Sequence, residues 1–155
     1  MIPTGWIIPL PIILPNLLWA VIPTSGGDAP EVSPTGRLAT TLSAVETAGR
    51  VAVLVVPFFL NLHPTTTTKP ACLGVAGFAL ALYYTGWARY FAGGRRQPLL
   101  WKSLFQIPVP LAIAPVIYFL AASVLASSMV FGATTVIFGF AHIYLSVRRS
   151  RICQK

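Results

Sequence analysis

The sequence predicts an all-α fold: a polytopic integral membrane bundle of five transmembrane helices, proline-kinked, with its N-terminus outside and its C-terminus in the cytoplasm. Three observations predict it. The residues are 55% hydrophobic and only 9% charged, whereas roughly a quarter are charged in soluble domains. The apolar residues gather into five segments, each near the about 20 residues needed to cross a hydrocarbon core about 30 Å thick. Ten of the eleven Lys and Arg then fall on one side, with only Lys69 on the other, the bias that holds basic loops in the cytoplasm. The whole of 1–155 is read as a single transmembrane domain, multi-pass in the plasma (inner) membrane of a prokaryote.

The segments follow in order. The first, Ile2 to Ile22, has no Lys or Arg and carries Pro3, Pro9, Pro11 and Pro15. A signal peptide wants a basic start and a proline-free apolar stretch, so this is expected to be a retained span. The alternative is a segment lying in the interface, which leaves the sides of all later loops unchanged. "PTSGGDAPEVSPTGR" is a loop by its Pro, Gly and Ser content. The second span, Leu42 to Leu62, carries Glu46, Arg50 and Pro57. After "HPTTTTKP" comes the third, Ala71 to Ala92, closed by the basic turn "GGRRQP". The fourth, Leu104 to Leu125, contains "FQIPVPLAIAPVIYF". Pro108 and Pro110 fit the first turn of a helix starting near Ile107, where missing donors cost nothing, but Pro115 interrupts its interior. A minimal link at "LASSM" leads into the fifth, Met129 to Val147, so the last two spans should form an antiparallel hairpin. The tail 148–155, "RRSRICQK", is expected in the cytoplasm.

Sorted by depth, the polar residues collect in the cytoplasmic leaflet: Asn16, Glu46, Arg50, Arg89, Tyr90, Lys102, Gln106 and His142. Ionisable groups at membrane depth are expensive and normally face the bundle interior, a partner or water. Glu46 and Arg50 lie four apart, in the order that favours an ion pair on one helix face. Thr135, Gly139, His142, Ser146 and Arg149 share a stripe on the fifth helix. Gly74, Gly77, Ala81, Thr85 and Ala88 form a similar stripe on the third, and both are expected to face inward as close-packing surfaces. Such stripes also leave room for a homo-oligomer. Trp6, Trp19, Trp87 and Trp101 suit an interfacial aromatic belt.

Several chemistries are excluded by what is missing. The basic residues are scattered singly or in short clusters at the ends of apolar segments, as anchors and topology signals are placed, which argues against nucleic acid. His63 and His142 should lie on opposite sides, as should Cys72 and Cys153, so no metal site, haem or disulfide is expected within one chain. "AGGRRQ" has no phosphate-loop lysine and serine, and no cofactor is expected. In size and basic charge the chain is similar to the small membrane glutathione transferases. Their pattern of Arg, Asn and Glu ahead of a Pro is not met by "VETAGRVAVLVVPFF", where Glu46 and Pro57 stand far apart with no Asn between them. No residue role is transferred.

The resulting expectation is a cytoplasm-facing polar pocket that binds or transports a small or lipid-like anionic ligand. Arg50, Arg89 and Lys102 would supply positive charge, and Asn16, Glu46, Tyr90, Gln106 and His142 would complete the lining. Two alternatives stand beside it. One is a lipid-modifying or isomerase-like enzyme in which Glu46 and His142 exchange a proton, signalled by a contact within about 3.2 Å. The other is a structural or assembly subunit whose inner polar groups satisfy one another. Membrane lipids are the expected surroundings in each case.

Overall fold

The computed structural model describes residues 3–22, 24, 36–62, 69–104 and 106–153. Residues 25–35, where a loop is expected, His63 with the threonine run, Phe105 and Lys155 lie outside the described residues. Among those described the chain is all-helical, apart from an isolated bridge between Leu104 and Ile107. The helices are α1 (Leu10–Val21), α2 (Arg37–Val55), α3 (Lys69–Ala92), α4 (Pro98–Trp101), α5 (Pro110–Leu125) and α6 (Met129–Cys153), with 3-10 turns at Gly5–Ile7 and Val56–Phe59. Three stretches are long and apolar enough to cross a membrane: Arg37–Phe59, Pro70–Ala92 and Met129–Ile152. Gly5–Val21 and Pro110–Leu125 are shorter apolar helices.

Local chemistry sets where these helices begin and end. Pro11 sits in the first turn of α1, where its missing N–H costs nothing, while Pro15 lies inside the helix and is buried. The α-helical hydrogen bonding of α2 stops at Val55, and the chain tightens into the 3-10 turn that holds Pro57. Gly94, at φ 78°, terminates α3, and the Arg95 N–H returns 2.9 Å to the Tyr90 carbonyl, the bonding of a Schellman end. Ser128 starts α6, its Oγ accepting from the Phe131 N–H at 3.2 Å.

The fourth segment departs from the expected span. Leu104 and Ile107 exchange backbone bonds across a tight turn in which Gln106 takes φ 67°, and Val109 follows at φ 43°. Helix α5 therefore begins at Pro110 rather than near Ile107, and only Pro110 occupies the favourable first position. Its 16 residues give a length of about 24 Å. Pro108 lies ahead of the helix. Elsewhere the helices outrun the apolar segments: α2 starts at Arg37, and α6 continues through the arginines to Cys153.

Helix α5 forms the centre. It packs along α3 on one side and α6 on the other, and α2 lies against the far side of α6. Nearly all of α5 is buried or half-buried, with Val124 its one exposed residue. The start of the chain joins the far end of α2, since the Gly5 N–H donates 2.9 Å to the Leu60 carbonyl and Thr4 Oγ1 accepts from the Leu62 N–H at 2.9 Å. Tyr118 of α5 donates to the Ile8 carbonyl at 2.8 Å and fixes the same end.

The two small-residue stripes have opposite fates. On α6, Thr135, Gly139 and Ser146 are buried and His142 and Arg149 half-buried, so that stripe faces inward. A Cβ on Gly139 would come within 2.6 Å of Val116, so the glycine sets the α5–α6 approach. On α3 the expectation fails: Gly74, Gly77, Ala81, Thr85 and Ala88 are all exposed. The buried face carries Ala76, Ala79, Tyr83, Trp87 and Tyr90 instead. It buries three large aromatic rings and still admits the Leu111 side chain against Gly86, so it removes more apolar area from the surface than the small stripe would.

Candidate polar site at the α2–α6 seam

Glu46 is the residue around which the site is built. It lies on the α6-facing side of α2 with only 2% of its surface exposed. One turn on, Gly49 brings the two helices close: a Cβ there would stand 2.9 Å from the Phe138 Cβ. The Phe138 ring in turn stacks on His142, with centroids 4.9 Å apart and planes 16° from parallel. The imidazole is thereby held edge-on to the carboxylate.

Glu46 Oε1 accepts two short bonds, from Arg50 Nη2 at 2.7 Å and from His142 Nδ1 at 2.7 Å. Arg149 approaches the other oxygen, with Nη2 3.6 Å from Oε2. One carboxylate thus neutralises one of two guanidinium groups, and among the described residues the cluster keeps an excess positive charge. A guanidinium carries five N–H donors. Arg50 commits one of them to Glu46, and its side chain is 55% exposed, that of Arg149 36%. An ionised carboxylate only accepts, so the proton of the Glu46–His142 bond belongs to Nδ1, and Nε2 carries a lone pair when that is the ring's one N–H proton.

The residues expected to line one pocket divide between three places. Glu46, Arg50 and His142 meet at this seam. Asn16 is on the other side of the bundle, where its Nδ2 donates at 2.7 Å to the Ile12 carbonyl of its own helix and, also at 2.7 Å, to Tyr83 Oη, the second bond pinning α1 to α3. Arg89 is occupied by main chain: Nη1 donates to Ser103 O at 2.8 Å, and Nη2 to Leu99 O at 3.0 Å and Lys102 O at 2.6 Å. Those carbonyls belong to α4 and the residues after it, so Arg89 replaces the hydrogen bonds a longer helix would have made. Tyr90 is fully buried, its ring edge-on to Trp87 at 5.6 Å, and its hydroxyl has no hydrogen-bond partner among the described residues. Lys102 and Gln106 are exposed, Gln106 in the turn ahead of α5.

Arg149 is the member that the candidate set omitted. The signal for it was present, since it lies seven residues beyond His142 on the inward stripe of α6. Phe138, four residues before His142, gave no polar signal, and its role depends on a ring contact that only the folded helix creates. Comparisons with family models, with curated proteins and with solved structures find no match. The site is therefore read from its own geometry.

Proposed function

We propose that the chain is a five-crossing protein of a prokaryotic inner membrane, N-terminus outside and C-terminus cytoplasmic, whose α2–α6 seam binds a small or lipid-like anionic ligand near the cytoplasmic face. The one-sided distribution of Lys and Arg supports the orientation. The hydrogen bonds that join the start of the chain to Leu60 and Leu62 support placing those two ends together on the outer side. The observation that carries the ligand reading is the imbalance around Glu46: one buried carboxylate, two arginines and a histidine, with both arginine side chains open to their surroundings. At membrane depth a guanidinium facing acyl chains is costly, and an anion that meets its remaining donors removes that cost.

The test is binding to the purified protein in neutral detergent. Anionic lipid should raise its melting temperature more than zwitterionic lipid does. Arg50→Ala should weaken that binding about tenfold, the equivalent of 1.4 kcal/mol, while membrane insertion is unchanged. Equal binding by wild type and R50A would reject the role given to Arg50.

A second reading draws on the 2.7 Å contact between Glu46 and His142. A histidine oriented by a carboxylate is the arrangement of a general base, and it would suit a lipid-modifying or isomerase-like enzyme. That reading expects His142→Ala to abolish turnover of a lipid substrate in membranes. The structural-subunit reading draws on Asn16 and Arg89, whose side chains bind within the chain. It expects a partner protein to co-purify at fixed stoichiometry.

A further inference from the structure

We infer that the anion held at the α2–α6 seam is a phosphate monoester, with His142 Nε2 sharing the proton of its last hydroxyl. This rests on the anion-binding reading above and narrows it to one chemical class. The argument begins with what His142 leaves open. Its contacts among the described residues are the bond to Glu46 through Nδ1 and the stack on Phe138. Nε2 is not one of the buried unpartnered atoms, and the side chain is 18% exposed, so a ligand can reach it.

Around the Glu46 carboxylate stand two kinds of group. Arg50 and Arg149 present N–H donors in planar forks, which suit an oxyanion with two or more acceptor oxygens. Nε2 presents a lone pair, which needs a donor. A carboxylate or a phosphodiester supplies acceptors alone and meets Nε2 only once the ring has taken a proton from water. A phosphate monoester supplies both, because its second ionisation falls near pH 6 and one proton remains to be shared with a base. The proton can reside on the phosphate oxygen or on Nε2 without changing the number of bonds. If the histidine takes it, the dianion faces two guanidinium groups, one imidazolium and one carboxylate, and the charges balance.

Two sources carry this chemistry: a membrane lipid that ends in a phosphate monoester, and a water-soluble phosphate monoester. The experiment separates them. The full chain is reconstituted in phosphatidylcholine nanodiscs containing equal amounts of phosphatidic acid, a monoester, and phosphatidylglycerol, a diester. Lipid retained by the protein is then read by native mass spectrometry. Phosphatidic acid should be enriched about tenfold over phosphatidylglycerol. His142→Gln keeps a donor for Glu46 but has no imidazole lone pair, and should reduce the enrichment to under about twofold.

Displacement of the retained lipid by glycerol 3-phosphate would support the assignment with an aqueous source; resistance to displacement would support it with a lipid source. Equal retention of the two anionic lipids by the wild type, each above phosphatidylcholine, overturns the monoester and leaves the anion site standing. Retention of neither above phosphatidylcholine overturns the anion site itself. The wild-type ratio decides the matter even if H142Q fails to insert.

Discussion

Glu46 shows how much one side chain organises. Removing its charge takes from Arg50 and Arg149 their counter-ion among the described residues and from His142 its carboxylate acceptor. Breaking a fully buried pair costs about 3–5 kcal/mol; Arg50 is half exposed, so Glu46→Gln should lower stability by about 2–3 kcal/mol in detergent unfolding. A loss below about 0.5 kcal/mol would mean that the cluster is screened by solvent. Asn16→Leu removes the Nδ2 bond to Tyr83 Oη that ties α1 to α3, together with the bond to the Ile12 carbonyl within α1. Side-chain bonds of this kind average about 0.6 kcal/mol in membranes, so a smaller loss of about 0.5–1 kcal/mol is expected by the same measurement. At this scale the sequence was partly legible. The spacing of Glu46 and Arg50 gave an ion pair, and the stripe through His142 pointed inward. Arg89 was not legible as a clamp, because its partners are main-chain carbonyls between the expected third and fourth spans, and side-chain spacing carries no signal for a bond to main chain.

At the scale of the helices, glycine position decides more than glycine number. Gly49→Ala would press a methyl group to 2.9 Å from the Phe138 Cβ and force α2 from α6, a loss of about 1–3 kcal/mol. Gly74 has nothing within 4 Å of its would-be Cβ, so Gly74→Ala should be neutral or stabilising by up to about 1 kcal/mol through helix propensity. Thermal unfolding of the two variants side by side checks both. Periodicity located both small-residue stripes but could not say which would face inward, since a small stripe serves equally for close packing and for an outer surface. On α3 the aromatic face prevailed. The start of α5 was missed for a different reason. Composition continues apolar through Ile107, Pro108 and Val109, and only the positive φ angles of Gln106 and Val109 reveal that the chain turns there.

For the whole molecule the expected test is topological. A membrane-impermeant thiol reagent should reach Cys72, near the start of α3, from the outer side and Cys153, at the end of α6, from the cytoplasmic side. Labelling of both from one side would overturn the five-crossing reading. Hydropathy gave the all-helical class and the three long helices, because burial in lipid selects composition over about 20 residues at a time. It could not give the order in which helices sit beside one another, which puts α5 at the centre and α2 beyond α6. That central place has a consequence for the bilayer. If α5 crosses as proposed, its 16 residues fall about 6 Å short of the hydrocarbon thickness, yet nearly all of α5 is covered by protein, so lipid meets little of the shortfall. Any event that parted α3 from α6 would expose it, and the surrounding leaflets would have to pinch. Thicker membranes should therefore penalise the parted state and hold the helices together.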